Sequence, residues 1–371
     1  MLPLFAAAVL LAAASSSTVA FRWQDPRISE SSGLATASEG DLVYTHNDSG
    51  DEARVFAVGP DGVTRTTYVL PGLAPRDWED MARGPDEQGR SSLWLGDIGD
   101  NRAARDNGLL VHRVLEPAPT DAEEVTTPAP TSFRLRYPDR PGDAETLLVH
   151  PRTGRLYVVT KPLSGAARVY AAPTPLAADR PNVLELVADV STRTTGTPGG
   201  PGIGALANRL VTAGDIAPDG RRVALRTYTD LYEWTVSGDD VAAAFDGEPT
   251  VTPLPSTQQG EGLAYAPDGA SVLVSTEGAG SEVHRIVLER APEPSQEPTA
   301  GPPESRDEPA DEPADDPAVD VTATTAAGAA AAAVGLLALA AWQRRRVRRR
   351  TAARARPPAH RREDPRGRAR G

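Results

Sequence analysis

The sequence predicts an all-β fold, a β-propeller built from four-stranded antiparallel blades. Three observations predict it. A short pattern of strand, turn and stronger strand recurs five times, its turns share Pro, Asp and Gly, and further strand-like segments follow each copy. Four antiparallel strands in roughly 45–70 residues are typical of a propeller blade.

The copies of the repeat each begin with a small or acidic pair of residues. They span 30–48, 77–101, 143–161, 213–228 and 260–278. Pro and Gly in most of their turns supply the dihedral angles of a tight hairpin, as in the Pro-Asp-Gly segments 218–220 and 267–269. A third strand is predicted at 54–59, 109–116, 168–173, 231–236 and 282–289, and a fourth at 64–72, 132–138, 183–190 and 250–255.

The fifth copy lacks an outer strand before the chain becomes rich in proline. Residues 21–28 (FRWQDPRI) are predicted to supply that strand and to close the ring. Five blades are therefore favoured, and six stay open because the Gly-, Pro- and Thr-rich segment 191–211 reads as a loop or as a degenerate blade. A two-sheet sandwich is the alternative fold, but it does not account for the repeated Pro-Asp-Gly turns.

The two ends of the chain predict export and membrane anchoring. Residues 1–20 read as a signal peptide cleaved before Phe21, or as an uncut anchor, since no Lys or Arg precedes the apolar stretch. The propeller is predicted at 21–290, and 291–320, with eight prolines and ten carboxylates, reads as a disordered stalk. A transmembrane helix at 321–342 and an Arg-rich cytoplasmic tail at 343–371 follow; a soluble Ala-rich helix with a basic cap is the alternative.

This order of segments predicts a single-pass protein of a bacterial cell membrane, with the propeller outside. The net charge is −12, although 13 Arg stand in 343–371. The acidic remainder argues against nucleic acid as a partner, whereas the tail suits anionic inner-leaflet lipid. The chain has no cysteine, which excludes disulfides and thiolate zinc sites.

Blade geometry sorts the loops between two faces. The start of each first strand and the loop after each second strand open on one face, and the Pro-Asp-Gly turns open on the other. The first-strand starts carry the predicted metal ligands, which are Glu79, Asp80, Glu145, Asp215 and Glu261. The second-strand segments add the predicted ligand-binding residues, which are His46, Asn47, Asp48, Asp97, Asp100, Asn101, Lys161 and Arg226.

A ring of carboxylates is costly unless a cation, a proton or a basic side chain neutralises it. Oxygen ligands without Cys and with few His favour a hard cation, and an irregular set of oxygens favours Ca²⁺ over Mg²⁺. The alternative is that these Asp, Asn and Glu side chains cap strands and bind nearby backbone amides. The sequence alone leaves both interpretations open.

Motifs for catalysis are weak. Neither HExxH nor GxSxG occurs, and there is no phosphate-cradling Gly-rich loop. His46 beside Asp48 is a candidate general base, and paired carboxylates are candidate acids and bases. Local adjacency of His46, Asp48 and Ser49 is the wrong geometry for a nucleophile triad.

The segments ESSGLA (30–35), HND (46–48), WEDMA (78–82) and GEGLAY (260–265) resemble those of secreted bacterial propellers grouped as SdiA-regulated proteins and, more distantly, of phytase-like esterase propellers. The resemblance covers about 21–290. The likeness to phytase-type propellers implies calcium ions and acidic channel residues that activate water on a phosphoester, at Glu79, Asp80, Glu145, Asp215 and Glu261. Only Lys161 and Arg226 are basic on the acidic face, which disfavours phosphate-ester substrates.

Two functions follow as hypotheses. In the first, the propeller is a binding or sensing module whose acidic channel holds Ca²⁺, a cationic ligand or an extracellular protein partner. In the second, the same acidic site belongs to a calcium-dependent esterase, lactonase or phosphoesterase. The sequence favours the first, since it identifies acidic residues but no nucleophile.

Overall fold

The computed structural model describes residues 16–48, 50–100, 105 and 108–288. A short 3₁₀ helix, Gly204–Asn208, and a one-turn helix α1, Val241–Ala244, accompany the strands. The strands are β1 (Ser17–Arg22), β2 (Ser31–Thr36), β3 (Val43–Asn47), β4 (Arg54–Val58), β5 (Thr64–Val69), β6 (Trp78–Pro85), β7 (Ser91–Asp97), β8 (Leu109–Leu115), β9 (Glu124–Thr126), β10 (Thr131–Arg136), β11 (Ala144–Val149), β12 (Leu156–Thr160), β13 (Ala166–Ala171), β14 (Asn182–Val183), β15 (Glu185–Ser191), β16 (Val211–Ile216), β17 (Arg222–Thr227), β18 (Asp230–Thr235), β19 (Thr250–Pro253), β20 (Gly260–Tyr265), β21 (Ser271–Thr276) and β22 (Glu282–Val287).

These strands form five sheets, which are the blades of a propeller. Blade one contains β2 to β5, blade two β6, β7, β8 and β10, blade three β11, β12, β13 and β15, blade four β16 to β19, and blade five β20, β21, β22 and β1. The first strand of each blade packs against the first strands of both neighbouring blades, so that β2, β6, β11, β16 and β20 surround one axis. Five blades are confirmed, and 191–211 connects β15 to β16 rather than adding a sixth.

The ring is closed by the N-terminal strand β1, which pairs antiparallel with β22. The predicted closing strand, 21–28, is therefore shifted towards the N-terminus. The chain turns after Arg22, where the N–H of Ile28 donates to the carbonyl of Asp25 at 3.0 Å. Residues 17–20, which the sequence analysis assigned to the signal peptide, are part of β1.

Several predicted segments lie outside the described residues. They are most of the signal peptide (1–15), the stalk (291–320), the transmembrane helix (321–342) and the tail (343–371). Within the part of the chain that the structure describes, no helix has the length and apolar character needed to cross a bilayer.

Two short strands were not predicted. β9 pairs in parallel with β5, the outer strand of blade one, and β14 pairs in parallel with β10, the outer strand of blade two. Each belongs to a long connection within the following blade. These connections therefore cover the outer edges of the first two blades, which would otherwise leave N–H and C=O groups unpaired.

The apolar core lies between the blades rather than on the axis. Five clusters of buried side chains each fill the space between two adjacent blades, as Trp78, Leu95 and Tyr44 do between blades one and two. The hairpin turns between first and second strands meet on one face of the ring. There Gly220 and Gly269 adopt φ of 70° and 63°, which Gly tolerates without strain.

The axis is polar because the inward edge of each innermost strand has no neighbouring strand. Asp80 supplies the missing acceptors: Oδ1 accepts from the N–H of Met81 at 2.8 Å, and Oδ2 from Leu147 at 3.0 Å and Gly214 at 3.4 Å. Burial raises the pKa of Asp80 well above its usual range, and the N–H groups of Leu147 and Met81 act against that effect. Asp80 thus joins the first strands of blades two, three and four.

Asp215 has a similar role between blades four and five. Its carboxylate accepts from the N–H groups of Ile216 and Tyr265, both at 2.8 Å. Burial raises the pKa of Asp215 to about 7, while these two N–H groups act to lower it. Asp80 and Asp215, both predicted as metal ligands, therefore serve as backbone acceptors along the axis.

We expect Asp80→Asn to destabilise the fold. The amide nitrogen of Asn would point at N–H donors that the carboxylate accepts, and a buried donor left without an acceptor costs about 1–3 kcal/mol. Urea unfolding of the full chain would measure the loss. Asp121→Asn, at an exposed loop position, is the control, and equal midpoints for both variants would contradict this role of Asp80.

Candidate metal centre

The acidic residues gather where the innermost strands begin. We call Asp48, Asp77, Glu79, Asp143, Glu145 and Glu261 the acidic mouth. Asp48 follows the second strand of blade one, and the others precede or begin the first strands of blades two, three and five. The predicted meeting of strand starts and second-strand loops on one face is thus confirmed.

A β-bulge in every innermost strand positions these carboxylates. The pairing with the second strand shifts register once near the start of β2, β6, β11, β16 and β20. The residue that the shift leaves unpaired is Glu79 in blade two and Glu145 in blade three. A bulge redirects a side chain at the rim of a sheet, and here the redirected side chains face the mouth.

The position of the bulge shows that the sequence prediction aligned blade four incorrectly with the other blades. The residue equivalent to Glu79 is Thr212, because the register shifts between Val211 and Ala213. Asp215 stands three residues further along β16, on the axis. The sequence prediction placed Asp215 at the position of Glu79 because Gly214, Asp215 and Ile216 form a pattern of a small, an acidic and an apolar residue. This pattern lies beyond the bulge of β16.

Asp48, Asp77 and Glu79 form the candidate metal centre. Their carboxylate oxygens lie within 4.8 Å of one another. Asp48 and Glu79 are buried and Asp77 is partly exposed. Ca²⁺ binds oxygens at about 2.3–2.6 Å, so two ligands of one ion lie at most about 5 Å apart. The three side chains therefore fit a single divalent cation, with coordination positions left for water or backbone oxygen.

Gly99, in the loop after β7, lies against the candidate metal centre. A Cβ atom there would lie 2.7 Å from Asp77 Oδ2 and closer still to Glu79 Oε1. Its N–H donates to the carbonyl of Asp77 at 3.2 Å. The backbone at residue 99 thus forms a cradle that only glycine leaves open to the two carboxylates.

The carboxylates of the acidic mouth repel one another. Burial raises the pKa of Glu79 well above its usual range, and Glu145, Asp48 and Asp77 raise it further. Burial, followed by the charge of Glu145, raises the pKa of Asp143 to about 8, against the lowering effect of Lys161 and the N–H of Asp100. Some of these carboxyls therefore hold protons near neutral pH when no cation is bound.

Lys161 compensates part of this charge. Its Nζ lies 2.9 Å from Glu145 Oε1 and 4.9 Å from the centre of the Tyr228 ring. Burial acts to lower the pKa of Lys161, but Glu145, Tyr228 and Glu261 together raise it well above its usual range. The ammonium group is therefore a fixed positive charge within the acidic mouth, beside Glu145.

Arg226 occupies the far side of the mouth. Nη1 donates to the carbonyls of Gly262 at 2.9 Å and Ser275 at 3.0 Å, which ties blade four to blade five. Burial lowers the pKa of Arg226 to about 10, and the charge of Glu261 acts to raise it. Its main role in the structure is to satisfy the carbonyls of these strands.

The other predicted ligand-binding residues hold loops in place. Asn47 accepts from the N–H groups of Ser29 and Glu30 and donates to Arg27 O and Asp51 Oδ2. His46 is buried edge-on against Trp78, with ring centres 5.1 Å apart, and burial lowers its pKa. The neutral ring is therefore part of the core.

Asp97 and Asp100 both bind Arg105, and Asp97 also binds the backbone that precedes β6. Asp97 forms a buried ion pair of 2.6 Å with Arg105 and accepts from the N–H groups of Arg76 and Asp77. Asp100 Oδ2 accepts from the N–H of Arg105 at 2.9 Å. Asn101 lies outside the described residues.

Sequence reasoning missed Asp77, Asp143 and Tyr228 at the mouth. A repeated signal was present: Asp77-Trp78-Glu79 and Asp143-Ala144-Glu145 share an Asp-x-Glu spacing at the start of adjacent first strands. Side chains two apart on a strand share a face, so the spacing predicts paired carboxylates. Tyr228 carried no such signal.

Comparisons with known proteins leave the family open. No protein-family model matches the chain. No curated protein matches it either. Among solved structures, a gluconolactonase from Xanthomonas campestris is similar at 12% sequence identity and a TM-score of 0.42, over 74% of this chain and 90% of that chain. A TM-score this low does not establish a common fold, so the blades and the site rest on the contacts of this chain, and the SdiA-regulated and phytase-like resemblance stays a prediction.

We expect the cation-free protein to lose stability as pH rises from about 6.5 to 8, because below this range the lowered pKa of His46, His112 and His150 acts in the opposite direction. The folded state keeps protons on Asp143 and Glu79 at the mouth, and on Asp80 and Asp215 on the axis, that the unfolded chain has released. The free energy of unfolding therefore falls with pH, by about 1.4 kcal/mol per pH unit for each such proton. Thermal melting in chelator at several pH values measures this slope. With Ca²⁺ present the slope should flatten.

Asp143→Asn is the matched control for that slope. Asp143 Oδ1 accepts from the N–H of Asp100 at 2.6 Å, and Asn retains this acceptor without the titrating proton. The variant should show a shallower loss of stability in chelator. Identical slopes in both proteins would contradict the assignment of the proton to Asp143.

Proposed function

We propose that this protein is a divalent-cation-dependent hydrolase of uncharged esters or lactones, with its reaction centre at the acidic mouth. One observation carries the proposal: Asp48, Asp77 and Glu79, from blades one and two, converge within reach of a single cation at one end of the propeller axis. We propose Ca²⁺ as that cation, because the ligand set is all oxygen and irregular.

The chemistry follows from the residues around the centre. A divalent cation bound there supplies a Lewis acid for a carbonyl oxygen and lowers the pKa of a bound water. Asp143 is a buried carboxyl of the mouth that accepts from the N–H of Asp100, and it is the candidate to take up and return a proton. Lys161 and Tyr228 form one wall of the mouth and limit where a substrate can lie.

The charge of the mouth supports an uncharged substrate. Six carboxylates face two cationic side chains, Lys161 and Arg226, and Arg226 is fully buried. One divalent cation leaves this region negative or neutral. A phosphate ester would add negative charge there, so esters and lactones are favoured over phosphoesters.

A binding or sensing module is the second candidate. One observation favours it: Glu145 is tied to Lys161, and His46 is neutral within the core, so among the described residues of the mouth a ready general base is limited to the carboxyls. In this case the bound cation would itself contact a ligand or an extracellular protein.

We further propose that the propeller is exported and anchored in the membrane by 321–342, with the Arg-rich tail inside. The support is the order of segments in the sequence and the concentration of Arg after the apolar stretch.

Calcium titration and turnover assays on the full chain test the enzymatic proposal. We expect hydrolysis of phenyl acetate or δ-valerolactone, but not of p-nitrophenyl phosphate, with activity removed by chelator. Asp77→Asn and Gly99→Ala should each reduce both calcium affinity and turnover by roughly ten- to a hundredfold, because the first weakens a metal ligand and the second closes the cradle behind it.

Gly142→Ala is the matched control, since a Cβ atom there meets only Thr160 Cγ2 at 3.8 Å. It should retain both properties. Calcium binding without turnover on any ester or lactone would favour the binding module, and turnover that persists in chelator would contradict the cation-dependent reaction.

Protease added to intact cells tests the proposed topology. The propeller should be released or degraded while an epitope fused after Gly371 stays protected. Protection of the propeller together with cleavage of the epitope would show the reverse orientation.

A further inference from the structure

The strand that closes the ring overlaps the predicted signal peptide. Cleavage before Phe21 would remove residues 17–20, which are four of the six residues of β1. Three of the five residue pairs that join β1 to β22 lie in 17–19. The closed ring and the cleavage point that the sequence predicts are therefore incompatible.

The lost residues supply the outer strand of blade five. The pairing extends even to the residue before β1, because the N–H of Val287 donates to the carbonyl of Ser16 at 3.2 Å. Without residues 16–20, most of the outer edge of β22 would be left without a neighbouring strand. An open edge of this kind exposes a row of unpaired N–H and C=O groups.

A chain terminus at Phe21 would also create a charge at a buried position. Phe21 is 8% exposed, and its ring packs edge-on against Trp23, with ring centres 5.1 Å apart, in the cluster between blades five and one. An ammonium group at this residue would lie beside apolar side chains, where burial of a charge is costly. Ser16, in contrast, is exposed, so a terminus next to it would stay in water.

The sequence offers another cleavage site, upstream of β1. A signal peptide ends in small residues at the first and third positions before the cut and carries an apolar segment of about 7–15 residues in front of them. Ala12 and Ala14 supply the small residues for a cut before Ser15. Residues 4–11 (LFAAAVLL) supply the apolar segment.

We propose that the exported protein is cut between Ala14 and Ser15, so that the whole of β1 is retained. This inference rests on the proposed export. The mature chain then begins directly before the strand that closes the ring, with its charged terminus in solvent. Because β1 begins beside the end of β22, this terminus lies at the outer edge of blade five.

The N-terminus of the exported protein tests the inference. The full chain is produced in a bacterium, the membrane fraction is isolated, and free N-termini are labelled before mass spectrometry. We expect a mature chain that begins at Ser15. A chain that begins at Phe21 would overturn the inference, and so would a membrane-bound chain that keeps residues 1–14.

Two matched substitutions distinguish the cleavage sites. Ala14→Leu places a large side chain directly before the proposed cut, so the product that begins at Ser15 should be lost and uncut precursor should accumulate. Ala20→Leu makes the same change directly before Phe21 and should leave the N-terminus at Ser15. Loss of the cut in Ala20→Leu alone would contradict the proposed site. The readout is a mass, which does not depend on whether either variant folds.

Deletion of residues 17–20 from the full chain tests the reason for this site. The deletion leaves the proposed cleavage site intact but removes most of the outer strand of blade five. We expect the urea midpoint of the mature protein, purified in mild detergent, to fall by roughly 1 M, and failure to fold is the extreme of the same result. An unchanged midpoint would overturn the inference, because the ring would then not need β1.

The proposed export and the proposed cleavage site fail separately. A chain that stays in the cytoplasm with residues 1–14 attached would remove both. An exported chain that begins at Phe21 would uphold export and remove only the cut before Ser15.

Discussion

The unpaired inward edges of the five innermost strands are the constraint on which the rest of this structure depends. Backbone N–H and C=O groups that face the axis need partners, because a buried group without one costs free energy comparable to a lost hydrogen bond. Side chains supply these partners. Asp80 and Asp215 accept from N–H groups, and Thr212 donates to the carbonyl of Gly260 at 2.9 Å. The apolar core consequently lies between the blades, and polar residues occupy the centre.

This constraint separates two kinds of acidic residue that look alike in the sequence. Carboxylates that follow the bulge along the strand, such as Asp80, accept hydrogen bonds from backbone amides and link the innermost strands. Carboxylates at or just before the bulge, such as Asp77, Glu79 and Asp143, are turned towards the mouth, where like charges raise one another's pKa. The position of an acidic residue relative to the bulge thus determines whether its side chain binds backbone amides on the axis or faces the mouth.

The sequence predicted the blades well because their signals are local. Turn residues and apolar alternation repeat in each blade, so the strand positions and the five-blade ring could be inferred. The closing strand was displaced because Asp25 and Arg27 form a turn of their own, and a short turn inside a strand-like segment carries little signal. β9 and β14 depend on contacts with another blade, which no local pattern encodes.

The site was less predictable for a physical reason. An Asp or Asn after a strand can bind a ligand or cap the local backbone, and the same side chain suits both roles. Asn47 and Asp97 took the second role because their loops fold back onto them. Asp215 was misaligned because a bulge shifts register without altering composition. In the sequence, only the Asp-x-Glu spacing at 77–79 and 143–145 would have distinguished the acidic residues of the mouth from those on the axis.

The mouth links neighbouring blades by a different interaction at each boundary. Asp143 accepts from the N–H of Asp100 between blades two and three, Lys161 contacts Tyr228 between three and four, and Arg226 binds the carbonyls of blade five from blade four. Ser31 and Ser275 share a hydrogen bond of 3.1 Å between blades five and one. Between blades one and two, Ser32 donates to the carbonyl of Glu79, and Asp48 meets Asp77 and Glu79. These three carboxylates repel one another unless a cation lies among them or some of them hold protons. A cation bound at this boundary would add a further link between the two blades, and it would couple the stability of the propeller to occupation of the site that we propose as its reaction centre.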